Sequence, residues 1–279
     1  MSIENFKKWI EAGHTIYDIF EGRYNVYPIC RNWVEKWYEN DKFSISQDDI
    51  ERLNEIRKNF YYAAFEIAPQ LQQRMDDAFQ QLIIFLDENR CQYNIGLGVA
   101  PYLFLWNFRR FKEYFEDERF NLSEYFQEIG YFFQDKRDII KEYRQKKIYR
   151  EEINENEIKQ ILNDLNDCLK KCGRNNNEPV GVAKSLHIFA PYYFPLIDNS
   201  IAKATGLIKS QRDGLSLEKY FNWIRYMKKW VETYNIAEIQ EIEERHNLSI
   251  LKLIDEGLYI SCSIHLGSRI KILGFEIDN

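Results

Sequence analysis

Apolar residues recur at intervals of three and four along most of this 279-residue chain, a spacing typical of amphipathic helices. Serines at positions 2 and 46 fit helix N-caps, and Pro69 fits a helix break. Gly96 and Gly98 predict a turn. The pattern predicts a mainly α fold, with helices over residues 2–12, 28–40, 46–64, 70–89, 102–118, 123–134, 154–172, 180–190, 199–207, 215–234, 237–246 and 248–256.

The end of the chain has a different pattern. Residues 258–264 and 269–277 are rich in β-forming side chains, and Gly267-Ser268 lies between them. Two such runs around a glycine turn predict a small C-terminal β-hairpin. The first run also fits a continuation of the preceding helix, and both alternatives stay open.

Composition and length limit the class of protein. Apolar residues make up 45% of the chain, which is too many for a disordered protein. The length suits one large domain or two smaller ones. We predict an N-terminal helical region over residues 1–135 and a second region over 136–279, which can pack as one two-lobed unit. The polar segment 173–179 is the clearest linker.

The chain has no segment typical of membrane insertion. Its most apolar stretch, residues 96–106, is shorter than the roughly 20 residues of a spanning helix. The N-terminus lacks the pattern of a signal peptide. The five cysteines fit no disulfide framework, and Cys168 and Cys172 have no second pair to complete a metal site. We therefore expect a cytoplasmic protein, favoured as a monomer, with no membrane partner, metal or cofactor.

The charge distribution is uneven. The net charge of −6 argues against a protein that coats nucleic acid generally, but it does not exclude a local basic face. Residues 109–112 place cations among aromatic side chains, and residues 136–150 hold seven basic and two acidic residues. These stretches predict phosphate contacts by Arg109, Arg110, Lys112, Arg144, Lys146 and Lys147. The alternative is that they are the solvated faces of ordinary helices.

The segment 179–204 is the most informative part of the sequence. Gly181 precedes a predicted short helix whose first turns contain Lys184, and a proline-bounded aromatic connection follows that helix. Asp198 then stands at the N-cap of the next predicted helix.

This order resembles the helix-hairpin-helix DNA glycosylase superfamily, and its archaeal 8-oxoguanine branch in particular. The resemblance covers about 75 residues, from Pro179 onward, and includes the aromatic segment 220–227. In that superfamily a glycine hairpin precedes the helix with the lysine of bifunctional members, and an aspartate begins the next helix. Here one glycine, Gly181, lies three residues before Lys184. The resemblance implies an orthogonal multi-helix bundle of the helix-hairpin-helix glycosylase type.

The resemblance also implies an activity on double-stranded DNA. Asp198 would stabilise the oxocarbenium-like state, and Lys184 would form a Schiff base, with AP lyase activity as a consequence. Gly181 would contact the DNA backbone. An extruded base needs stacking and polar partners, and the predicted pocket consists of His187, Tyr192, Tyr193, Phe194 and Asn199.

Simpler explanations exist for each of these residues. Asp198 is first of all a helix cap, Lys184 can be a solvated lysine in a first helical turn, and His187 can be a hydrogen-bonded interior histidine. Two other functions therefore stay open. One is a non-catalytic helical module that binds DNA or protein, for example in genome maintenance or defence. The other is a helical interaction protein whose similarity to glycosylases is coincidental.

Overall fold

The protein is mainly helical, as its sequence predicts. We describe a computed structural model that covers residues 1–22, 25–40, 43–64, 69–88, 91–92, 95–106, 114–115, 117, 120–171, 177–209 and 213–262. Within those ranges there are thirteen helices and one pair of very short strands. No helix among these residues is long and apolar enough to cross a membrane.

The helices follow one another closely along the chain. The first five are α1 (Ile3–Glu21), α2 (Tyr27–Asn40), α3 (Gln47–Ala64), α4 (Pro69–Glu88) and α5 (Ile95–Trp106). The others are α6 (Leu122–Asp135), α7 (Arg137–Gln145), α8 (Glu155–Lys171), α9 (Pro179–Phe189), α10 (Asn199–Ala204), α11 (Leu217–Glu232), α12 (Ile236–His246) and α13 (Ile250–Cys262). The strands β1 (Phe43–Ser44) and β2 (Cys91–Gln92) pair antiparallel.

The chain forms two compact units that are interleaved in sequence. The first unit contains Met1–Gly22, Glu142–Leu162 and Glu178–Asn279, and the second contains Arg23–Lys141 and Asn163–Asn177. The predicted regions, 1–135 and 136–279, are continuous. They differ from these units because residues 1–22 belong with the C-terminal helices and residues 163–177 belong to the second unit.

In the first unit, α1 packs along α13. A Cβ atom on Gly13 would lie 2.7 Å from the Cα of Gly257, and one on Gly257 would lie 2.7 Å from the ring of Trp9. These two glycines therefore allow the helix backbones to cross closely. The sequence predicts that the first helix stops at residue 12, before Gly13, and this is wrong because Gly13 serves the helix crossing and does not terminate the helix.

In the second unit, α5 packs against α6 and α2. A Cβ atom on Gly96 would clash with the backbone oxygen of Phe126 and would lie 2.5 Å from the nitrogen of Gly130. The predicted turn at Gly96 and Gly98 is therefore wrong: both residues belong to α5, and Gly96 admits the backbone of α6.

Helix α13 continues to Cys262, so over residues 258–262 the alternative of a continued helix is confirmed and the alternative of a strand is wrong. Leu258 follows Ile254 by one helical turn, and both side chains are buried. The rest of the predicted hairpin, residues 263–279, lies outside the described residues.

Candidate active site

Lys184 lies on α9, a helix whose residues are almost all buried in the first unit. Pro179 occupies the start of this helix, where its missing N–H costs no hydrogen bond. Gly181 lies inside the same helix and is buried. The glycine hairpin that the resemblance implies before the lysine is therefore not formed by Gly181, which continues the first turn of α9.

The environment of Lys184 shifts its proton equilibrium toward the uncharged amine. The residue is only 9% exposed, and burial lowers its pKa to about 8 because the charged form loses its hydration. Asp198 and Asp255 oppose this change, while the positive charge of Lys252 adds to it. The alternative of a solvated first-turn lysine is wrong.

Asp198 is the N-cap of α10, as predicted. Its Oδ1 accepts a hydrogen bond of 2.7 Å from the N–H of Ile201. The side chain is only partly exposed, and its negative charge contributes to raised pKa values for Asp255, Tyr259 and Cys262, for each of which burial is the main cause. Asp198 therefore caps α10 and also acts electrostatically on buried groups of α9 and α13.

Helix α13 contains a buried ion network, two members of which, Lys252 and Asp255, act electrostatically on Lys184. Nζ of Lys252 lies 2.9 Å from Oδ2 of Asp255 and 3.5 Å from Oε1 of Glu256. The same ammonium lies 4.7 Å from the ring centroid of Tyr17 on α1, within cation–π range. A buried ammonium requires such partners, since its desolvation is costly.

His14 extends the network to α1. Its Nδ1 lies 2.7 Å from Oε2 of Glu256, and its Nε2 lies 3.5 Å from Oδ2 of Asp18. The hydrogen bond with Glu256 raises the pKa of His14, and burial partly opposes this effect. The ring also makes an edge contact with His246, at 4.8 Å between centroids.

We expect the stability contributed by His14 to depend on pH. Its folded-state pKa lies above the ordinary value of about 6.5. The contribution is therefore complete below about pH 6.5 and is lost as the pH rises through the folded-state pKa. The loss of unfolding free energy in His14→Gln should be largest near pH 5.5 and should shrink by pH 8.5, measured by urea denaturation.

His246→Gln is the matched control for this experiment. Burial lowers the pKa of His246, and nearby His14 adds to the effect, so this substitution should have the opposite pH trend. Parallel pH curves for the wild type and His14→Gln would contradict the prediction.

The aromatic connection after α9 belongs mostly to the core. Tyr193 and Phe194 are buried, and their rings contact Tyr143 at 4.6 and 5.3 Å between centroids. Nδ1 of His187 donates a 2.7 Å hydrogen bond to the carbonyl of Phe194, so His187 is an interior histidine. His187, Tyr193 and Phe194, which belong to the predicted base pocket, therefore lie in the protein core.

The other two residues predicted for the base pocket are less buried. Tyr192 is partly exposed, with the ammonium of Lys147 at 5.0 Å from its ring centroid. Asn199 is exposed at the start of α10. The structure thus does not bring the five predicted pocket residues together on one open surface.

In the second basic stretch, the side chains predicted to contact phosphate have partners within the protein. Arg144 donates to the carbonyl of Phe189 at the end of α9, at 3.0 Å. Lys146 lies 2.5 Å from a carboxylate oxygen of Glu142, in the preceding helical turn. Lys147 lies 2.6 Å from Oε2 of the buried Glu243. Arg109, Arg110 and Lys112 lie outside the described residues.

Sequence reasoning missed Lys252, Asp255 and Glu256. The sequence feature that could have indicated them is the presence of three charged residues in segment 250–260, whose other residues are uncharged. Charged groups between Leu251, Leu253, Ile254 and Leu258 must be buried with partners if the segment is a core helix. Within the part of the chain that the structure describes, no group of three or more His, Cys, Asp or Glu residues is placed to hold a metal ion.

Comparison with known proteins assigns no family to this chain. No family model matches it, and neither a curated protein nor a solved structure shows a match. The chemistry of the buried site is therefore the basis for assigning a function.

Proposed function

We propose that this protein is a DNA glycosylase that removes a damaged or modified base from double-stranded DNA and uses Lys184 as an amine nucleophile. One observation supports the proposal most: Lys184 is buried, its pKa is lowered to about 8, and the carboxylate of Asp198 acts on it. A lysine must lose its proton to attack carbon, and burial makes that loss possible near neutral pH.

The proposed reaction begins when the target nucleotide leaves the base stack. The uncharged amine of Lys184 attacks the anomeric carbon of the sugar, and the bond to the base breaks with its electron pair on the base nitrogen, which takes up a proton. The amine loses a proton and the sugar ring opens to give a Schiff base. Elimination of the 3′ phosphate from this intermediate would give AP lyase activity.

Asp198 would stabilise the positive charge that develops on the sugar before the new bond is complete. Its Oδ1 is held by the capping hydrogen bond to Ile201, which fixes the orientation of the carboxyl group. The other oxygen, Oδ2, is then the one to face the sugar. A preoriented carboxylate costs little reorganisation during the reaction.

A second candidate function is a non-catalytic helical module that binds DNA or protein. The internal pairing of Arg144, Lys146 and Lys147 favours the protein-binding form of this module, because binding to protein does not require cations for phosphate contacts. In such a module Asp198 would act as a cap only, and the network around Lys184 would be structural.

Borohydride trapping separates the two functions. The protein is incubated with duplexes that each contain one damaged or modified base, and sodium borohydride reduces any Schiff base to a stable adduct. We expect an adduct for the wild type, none for Lys184→Met, and formation about 100-fold slower for Asp198→Asn. Lys203→Met is the matched control, since Lys203 is exposed on the neighbouring helix α10.

Equal trapping by Lys184→Met and by the wild type would exclude Lys184 as the nucleophile. If the wild type forms no adduct and releases no base from any duplex, the non-catalytic module is the better assignment. Folding of each variant is checked by circular dichroism before the assay.

A further inference from the structure

A row of three aromatic rings lies at the surface of the first unit. Tyr226 and Trp230 are one helical turn apart on α11, with 6.5 Å between their ring centroids, and Trp9 on α1 lies 5.9 Å from Trp230. All three side chains are partly exposed. Their planes are tilted by 43° and 48°, so the rings do not cover one another as parallel stacked rings would. The row therefore leaves aromatic surface open to solvent.

Buried side chains hold this row in place. The ring of Tyr226 is stacked on the buried ring of Trp223, with 5.6 Å between centroids and 11° between planes. The buried ring of Phe6 contacts both Trp9 and Trp230, at 6.2 and 5.8 Å between centroids. Rings that are already ordered lose little conformational freedom when a ligand stacks on them, so less of the binding free energy is lost.

Exposed cations follow α11 beside the aromatic row. Arg225 and Lys229 are one turn apart, and each directly precedes one of the two aromatic residues of that helix. Arg225 lies 3.7 Å from Glu155 on α8, but the same carboxylate also has Nζ of Lys159 at 3.4 Å. Lys229 forms no ion pair with any residue that the structure describes. Three cations therefore share one carboxylate here, and this excess of positive charge in an acidic chain complements an anionic ligand.

Aromatic rings beside cations fit a single strand of nucleic acid. Unpaired bases stack on aromatic side chains, and the phosphates of the same strand contact the adjacent cations. In a duplex the faces of the bases are covered by neighbouring base pairs and cannot reach the rings. A neutral sugar or an apolar peptide would use the rings but would gain nothing from the excess positive charge. The combination therefore favours a nucleic-acid strand over those ligands.

We propose that single-stranded DNA binds to this part of the first unit, with its bases on the rings and its phosphates on the cations. The surface, which we call the aromatic–basic surface, consists of Trp9, Arg225, Tyr226, Lys229 and Trp230. The inference goes beyond the proposed glycosylase reaction, because the surface includes neither residue of the candidate active site. The choice of DNA over RNA rests on the proposed function, whereas the stacking and the charge do not.

The experiment is fluorescence anisotropy with a fluorescein-labelled DNA strand of about 20 nucleotides, which is long enough for a stacking site. The same sequence is also tested as a DNA duplex and as an RNA strand. The wild type should bind the DNA strand more tightly than the duplex and at least as tightly as the RNA. Tyr226→Leu should weaken binding of the DNA strand about 10-fold, because it removes one stacking ring. Tyr131→Leu is the matched control, since Tyr131 is exposed on α6, and it should leave binding unchanged.

The salt dependence of the same binding tests the role of the cations. Arg225→Ala combined with Lys229→Ala should reduce the slope of log affinity against log salt concentration by about 1.4, since each phosphate contact to a single strand contributes about 0.7. Lys141→Ala combined with Lys203→Ala is the matched control, because it removes the same charge from exposed positions on α7 and α10, and it should keep the slope. All four positions are exposed, so these variants also decide the question if Tyr226→Leu does not fold.

The proposal is overturned if the wild type does not bind the DNA strand, or binds the duplex equally well. It is also overturned if folded Tyr226→Leu binds as tightly as the wild type, or if the double variant of Arg225 and Lys229 keeps the wild-type slope. Tighter binding of the RNA strand would overturn the assignment to DNA. Failure of the proposed glycosylase function would appear instead as absence of trapping by the wild type, which is measured separately.

Discussion

Replacing Glu243 with alanine should lower the free energy of unfolding by about 4 kcal/mol. Glu243 is buried on α12, and its Oε2 lies 2.6 Å from Nζ of Lys147 and accepts a 2.8 Å hydrogen bond from the hydroxyl of Tyr149. Its Oε1 accepts a 3.0 Å hydrogen bond from the N–H of Ile250 at the start of α13. Truncation leaves a buried hydroxyl and a helix-terminal N–H without their acceptor, and each such loss is costly.

The measurement is chemical denaturation followed by circular dichroism. Glu244→Ala is the matched control, because Glu244 is the next residue of α12 and is exposed. It should change the stability by less than about 0.5 kcal/mol. Similar losses in the two variants would show that the Glu243 network does not stabilise the unit.

Replacing Gly13 with alanine should destabilise the protein by about 2 kcal/mol, although alanine is the better helix former. The new Cβ would lie 2.7 Å from the Cα and 3.2 Å from the nitrogen of Gly257. These are backbone atoms and cannot rotate away, so α1 and α13 must separate. The overpacking cost of about 3 kcal/mol exceeds the gain of about 1 kcal/mol in helix propensity.

Gly22→Ala is the control at the end of the same helix. Gly22 has a helical φ of −55°, and the nearest atom to its added Cβ is that of Asp18 at 3.9 Å. This substitution should be neutral or stabilise the protein by up to about 1 kcal/mol. A stabilised Gly13→Ala variant would contradict the close crossing of α1 and α13.

Helix starts follow from the sequence because capping is local. The hydroxyl of Ser2 accepts from the N–H of Asn5 at 3.4 Å, and that of Ser46 accepts from the N–H of Asp49 at 3.1 Å. Asp198 caps α10 in the same way. Each interaction joins residues three apart, so a short sequence window contains both partners.

The course of the helices at two glycines, in contrast, does not follow from the local sequence. The sequence predicts that Gly13 follows the end of a helix and that Gly96 forms a turn, yet both residues are helical. A glycine next to a helical pattern usually favours termination. Here the partners that explain the glycines, Gly257 and Gly130, are far away in sequence, so no local window contains the reason.

In the candidate active site, too, some features follow from the local sequence and others depend on tertiary packing. The local pattern of residues 179–204 singled out Lys184 and Asp198. It did not predict that the lysine is buried, or that Lys252 and Asp255 share its field.

Helical class, most helix starts and the choice of Lys184 and Asp198 as candidate residues therefore follow from the chain alone, because they depend on spacing and capping within a few residues. Helix lengths at glycines, the internal pairing of Lys147 and the low pKa of Lys184 depend on packing between distant segments. The pKa of Lys184 is the clearest case, because it is set by desolvation and by charges on Asp198 and α13 that act on the amine only after the helices have packed.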